Sequence, residues 1–253
     1  MADHSVLNPL YGTGRYRRAI LLGKVPGAVS AALEDCNHGF TLTLEHNGAA
    51  VTAVRAETHR APLTTCVDAP QALDALVGFP LDGSASDFRT RAKPTSQCTH
   101  LFDLASLALA HARRGERERR YDVVVEDAVD GLSRMSVQRN GTPLLEWLAT
   151  EQHTLVEPDG LAGRPIMSGF HAWASSHYSG DAFEAAVVLQ RGYFVAQARR
   201  FNIEANAGQP ALGNGMRGGV CYSYNQPAIA HAYHCADSAR DFSDCPEQLL
   251  KFL

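Results

Sequence analysis

From Gly39 to Glu45 the side chains alternate, with Phe40, Leu42 and Leu44 on one side and Thr41, Thr43 and Glu45 on the other, the period of a half-buried strand. His46-Asn47-Gly48 then predicts a hairpin turn, because Asn-Gly tolerates positive φ, and a second strand follows over about 50–57. Ala69, Leu73, Leu76 and Val77 recur at helical spacing within 65–77, with Gly78 as the stop and Thr65 or Asp68 as the cap. A second helix is predicted over 97–113, where Leu101, Leu104, Ala105, Ala108 and Ala112 form an apolar stripe that needs a sheet to cover.

Strand periodicity returns in 121–127, and 133–139 and 142–149 form a second predicted hairpin about Asn140-Gly141. One more strand is expected in 152–157. The longest helical pattern runs over 181–201, with Phe183, Val187, Phe194 and Ala198 near one face. The first 34 residues, punctuated by Pro9, Gly12, Gly14, Pro26 and Gly27 among arginines, read as irregular; 206–219 reads as a glycine-rich loop, and the tail beyond Val220 as at most two short ordered pieces.

Strands and helices alternating in blocks predict an α+β fold, antiparallel sheets packed against a few helices, instead of a parallel βαβ array. The expected organisation is an irregular segment 1–34, an α+β subdomain 35–118, a hairpin and long-helix subdomain 119–205, and a loop and tail 206–253 that pack on the core. No Gly-rich phosphate loop occurs in a strand-turn-helix setting.

Composition narrows the function classes. Of 253 residues 45% are hydrophobic, enough for a buried core, and 23 Lys+Arg against 27 Asp+Glu leave no basic excess for a nucleic-acid backbone. The mixed run 113–120 reads as a solvated helix end. With neither a leader pattern nor a membrane-length apolar run, the chain is expected to be cytoplasmic, without membrane or nucleic-acid partners. Six scattered cysteines in a reducing compartment predict free thiols, and the absence of any CxxC pair means that a metal site would be assembled from distant segments.

The candidate chemistry lies at the element ends. Arg60, at a predicted strand end, offers a cation for a substrate carboxylate. Cys66 near a helix start is either a thiol activated by the helix dipole or a small buried hydrophobe. His100 and Asp103, three apart, share a helix face, so the carboxylate can orient the imidazole or simply form a surface pair. Glu184 and Arg191 lie on one face of the long helix, where they serve as acid or base plus carboxylate clamp, or where Asp181 and Glu184 do no more than favour the helix dipole.

Gln97-Cys98-Thr99-His100-Leu101-Phe102-Asp103-Leu104, together with Arg60–Cys66, Glu184–Arg191 and Cys221-Tyr222-Ser223-Tyr224, resembles a bacterial domain-of-unknown-function family over roughly 15–253. The resemblance associates the chain with proteins for degrading aromatic acids and lignin-derived phenols. Residues 36–114 also distantly resemble iron–sulfur scaffold and sulfur-transfer proteins of the NifU and SufE type, which implies a shared shape for the N-terminal half. Cys66, Cys98 and His100 would then be metal ligands, although the cysteine expected at the first hairpin turn is replaced by His46-Asn47-Gly48.

Two functions are therefore expected. The first is a cofactor-independent enzyme on a small aromatic or phenolic acid, a lyase such as a decarboxylase or hydratase of aromatic-compound catabolism, with Arg60, Cys66, His100, Asp103, Glu184 and Arg191 at its site. It requires a small-molecule substrate and no cofactor, and a homodimer is the assembly expected. The alternative is a metal-binding or sulfur-handling module that uses Cys66, Cys98 and His100.

Overall fold

In the computed structural model, which describes residues 6–213 and 218–253, one eight-stranded antiparallel sheet organises the chain. Its strands are β1 (Arg15–Val25), β2 (Ala28–Asp35), β3 (Gly39–His46), β4 (Val51–Arg60), β5 (Glu118–Glu126), β6 (Leu132–Arg139), β7 (Thr142–Thr150) and β8 (Leu155–Glu157), in the order β4-β3-β2-β1-β5-β6-β7-β8. Two meanders meet at the β1–β5 pair, so the sheet runs without a break from the first 34 residues into the segment after 118.

The N-terminal segment is thus a correction to the sequence reading. Residues 15–34 supply the central strand and most of its neighbour, and Pro26-Gly27 is the tight turn that joins them, with Gly27 at φ 77°. The arginines hid the alternation. Tyr16, Arg18, Ile20 and Leu22 all point to the buried face, and Arg18 is a core residue there because an acid on β2 faces it. Both Asn-Gly signals mark hairpin turns; at the second, Asn140 and Gly141 have φ 50° and 77°, the left-handed pair that a two-residue turn demands.

One face of the sheet carries Leu33, Phe40, Leu42, Val123, Met135, Val137 and Trp147, all almost fully buried, beneath helices α2 (Thr99–Ala112) and α4 (Gly180–Ala196). Gly192 of α4 lets that helix sit directly on β5: a Cβ there would lie 2.6 Å from Val123 Cγ1. Two short helices were not anticipated, α1 (Ala85–Ala92) and α3 (Phe170–His177), each too short for a periodic stripe to stand out. The segment expected as a helix over 65–77 is instead a run of 3-10 turns over Thr64–Leu76 without a side-chain cap. Pro70 inside it removes a backbone donor, although Ala69, Leu73 and Leu76 still bury.

The long helix ends at Ala196 and tightens into a 3-10 turn over Gln197–Arg200. In the tail, 3-10 turns form at Tyr222–Tyr224, Ala228–His231 and Pro246–Gln248, one more ordered piece than expected; 214–217 of the expected glycine-rich loop lie outside the described residues. No helix among the described residues is long and apolar enough to cross a membrane.

Candidate functional site: a carboxylate between two histidines

β2 ends at Asp35, β3 begins at Gly39, and the connection turns back on itself through the Asp35 N–H to His38 O bond of 2.9 Å. The Asp35 carboxylate organises this turn from inside. Its Oδ1 accepts from the backbone N–H groups of Asn37 and His38, both at 2.9 Å, and lies 3.0 Å from His38 Nδ1. Its Oδ2 accepts from the Tyr16 hydroxyl at 2.8 Å and from Arg18 Nη2 at 2.9 Å, and lies 3.3 Å from His100 Nε2. Tyr16 and Arg18 alternate on β1, Arg18 is the register partner of Asp35, and His100 sits in the first turn of α2.

The two imidazoles stack with centroids 3.8 Å apart and planes 28° from parallel. Asp35 is wholly buried and His100 nearly so, whereas the His38 side chain retains 14% of its exposure and is the member that reaches solvent. Burial by itself would raise the Asp35 carboxyl; the neighbouring His38, the close contacts of both imidazoles with the carboxylate, and Arg18 outweigh it and hold that carboxyl well below its ordinary value. Burial, then electrostatic interaction with His38 and Arg18, push His100 down to about 3. At neutral pH, therefore, the buried imidazole is neutral beside an ionised carboxylate.

The six residues expected to converge do not share one cavity. Arg60 is spent on structure: Nη1 donates to Cys36 O (2.8 Å) and Ser238 O (2.7 Å), and Nη2 to Asp35 O (2.6 Å), His38 O (3.3 Å) and Glu34 (2.9 Å). It clamps, from behind, the same turn that Asp35 holds from within. Asp103 forms an ion pair with Arg191 at 2.8 Å, so α2 and α4 are tied together and the arginine is not held by Glu184. Glu184 instead meets Arg114 (2.6 Å), Arg119 (3.0 Å) and the Tyr121 hydroxyl (2.6 Å), with Asp181 on the same Arg119. The first-turn acids of α4 thus sit in an ion-pair network against β5.

The cysteines depart further from expectation. Cys66 is buried against the Ser223 hydroxyl at 3.2 Å, and burial pushes its thiol up to about 12; Cys98, buried at the N-cap of α2, is also raised by burial. Of the two readings of Cys66 the buried hydrophobe fits and the dipole-activated thiolate does not, because the 3-10 segment is short of regular helix and the desolvation cost of the charge is larger. All six cysteines are free. Among the described residues, one group of His, Cys, Asp or Glu brings its ligand atoms within 4.8 Å of one another, and it is Asp35, His38 and His100: of the three ligands expected, His100 belongs to it and Cys66 and Cys98 do not.

Asp35, His38, Arg18 and Tyr16 were missing from the sequence reading. An acid and a histidine three apart at a strand end, Asp35-Cys36-Asn37-His38, was the available signal, but nothing in the order of residues tells that Arg18 and His100 arrive there.

Fold and cluster define an α+β protein whose antiparallel sheet, covered on one face by helices, carries a buried Asp bridging two His at the mouth of a hairpin. Residues 29–113 match the profile of a family described as a protein of unknown function (DUF2889), about a third of the chain, and that segment contains Asp35, His38, Arg60, Cys66, Cys98, His100 and Asp103. No curated protein matches the sequence.

Proposed function

We propose that the protein is a cytoplasmic enzyme of lyase type acting on a small aromatic or phenolic acid, and that His38, aimed by Asp35, is its proton-transfer group. The observation that carries this reading is the shared carboxylate: Asp35 accepts from Nδ1 of the partly exposed His38 at 3.0 Å. That bond sets the tautomer and leaves Nε2 as the basic nitrogen, the arrangement by which a buried acid orients a catalytic imidazole. A para-hydroxyl group lets a phenolic ring absorb charge through a quinone-methide-like state, so decarboxylation or hydration of such an acid needs a positioned acid/base and no prosthetic group. The base takes the phenolic proton, an acid protonates the side-chain carbon, and the electron pair released by the departing CO2 returns to the ring. A recess of about 250 Å³, lined by His59, Arg60, Leu63, Val67 and Cys235 among others, lies against Arg60, the residue that clamps the His38 turn.

The test is a panel of hydroxylated benzoic and cinnamic acids incubated with the purified chain and read by mass for loss of CO2 or addition of water. At least one acid is converted, and His38→Gln lowers kcat by roughly 10²–10⁴-fold with an unchanged melting temperature. Full activity of His38→Gln, or a panel in which no acid is converted and none shifts the melting temperature, overturns the assignment.

A further inference from the structure

A carboxylate offers about four lone-pair sites. Asp35 faces six polar partners: two backbone amides, the Tyr16 hydroxyl, Arg18 Nη2, His38 Nδ1 and His100 Nε2. The first four are donors that fix the carboxylate in place. The two ring nitrogens crowd the same carboxylate, His38 Nδ1 at 3.0 Å from Oδ1 and His100 Nε2 at 3.3 Å from Oδ2, and the His100 contact, in a side chain more than nine-tenths buried, lacks good hydrogen-bond geometry. A buried nitrogen left in this state is costly unless something else takes its lone pair.

We propose that Asp35, His38 and His100 form a binding site for one divalent first-row transition cation, with Zn²⁺ as its type ion. Two imidazole nitrogens and one carboxylate oxygen are the donors such ions take when they keep an open coordination position. The three ligand atoms already lie within 4.8 Å of one another, and the carboxylate is 3.0 Å from His38 Nδ1 and 3.3 Å from His100 Nε2, close to the ~3.4 Å that separates donors each about 2.0–2.2 Å from a tetrahedral ion. Tyr16 and Arg18, on Oδ2, orient the carboxylate from outside, while the exposed edge of His38 gives access and room for a water ligand. Arg18 also opposes a cation. Its charge, 2.9 Å from Oδ2, weakens the carboxylate as a ligand and leaves the two imidazoles as the principal holding groups, so ions that demand several oxygens, Mg²⁺ and Ca²⁺, are selected against.

The inference deepens the function proposed above as a regulation of the same site, and rests on that reading only for its effect on turnover. An imidazole that gives Nδ1 to a cation carries its proton on Nε2 and no longer accepts one, so the loaded protein is the silent form and the stripped protein the active one.

Chelator-stripped protein titrated calorimetrically with ZnCl2 should bind one equivalent, and MgCl2 should give no heat of binding. His38→Gln and His100→Gln should each weaken Zn²⁺ by at least ~10-fold, while Cys66→Ser and Cys98→Ser leave it unchanged. Co²⁺ in place of Zn²⁺ should show weak visible bands without the near-ultraviolet charge transfer that thiolate ligands produce. Circular dichroism checks each fold; if His100→Gln does not fold, the partly exposed His38→Gln carries the test. Absence of stoichiometric Zn²⁺ or Co²⁺ binding by the folded wild type overturns the inference, as does binding that survives His38→Gln and is lost in the cysteine variants. Binding without turnover in the acid panel sinks only the proposed reaction; turnover without binding sinks only the cation site.

Discussion

Arg18 and Asp35 are register partners across the β1–β2 ladder, and their side chains meet at 2.9 Å with neither more than 1% exposed. A buried pair of this kind is far costlier to halve than to keep, because the survivor is a charge without solvent. Arg18→Met is expected to cost about 3–5 kcal/mol in urea unfolding. A loss under about 1 kcal/mol would mean that Tyr16 and the turn amides alone satisfy Asp35.

The histidines set the direction of the pH dependence. His100 titrates at about 3 in the folded chain against 6.5 when exposed, so between those values the unfolded chain binds a proton that the folded one refuses. Stability therefore falls as pH drops below about 6.5, by up to about 1.4 kcal/mol per pH unit from this group. Burial also lowers His111, His153, His171 and His234, with the same sign, and Asp35, depressed, loses its contribution only as pH falls below the ordinary carboxylate range toward its own folded value. Urea midpoints at about pH 7.5 and about pH 5 should differ, and His100→Gln should shrink the difference. An unchanged slope in a folded His100→Gln would show that this imidazole is protonated in the native state.

Cys66 and Cys98 are buried with raised thiols and should react slowly with a thiol-specific disulfide reagent until the chain unfolds. The partly exposed Cys221, Cys235 and Cys245 should react first. Rapid labelling of Cys66 in the native protein, located by peptide mass, would reinstate it as a nucleophile.

α4 rests on β5 through Gly192, where an added Cβ meets Val123 Cγ1 at 2.6 Å. Gly192→Ala gains about 1 kcal/mol of helix propensity but forces helix and strand apart, and the net expectation is a loss of about 1–2 kcal/mol. Val123→Ala in the same chain should restore part of it. A stabilised single variant would show that the helix shifts at little cost.

Local alternation announced β3, β4 and the later hairpin, and the apolar stripe announced α2, because each is written within a few consecutive residues. The six-residue site was drawn from helix faces that do exist, and His100 and Asp103 do share one, yet His100 turns to Asp35 while Asp103 turns to Arg191.

What the sequence determined by itself was the α+β class, the hairpins, the principal helices and the free thiols of a chain with a core to spare. What only the tertiary structure decided was which polar groups meet. Arg18 looks like a surface residue until the register sets it opposite Asp35, and Asp35 like a turn residue until α2 delivers His100 on top of it. Periodicity is a property of neighbours in sequence, whereas a buried charge is tolerated only for partners that arrive from elsewhere, here β1, a hairpin turn and a helix some 65 residues on.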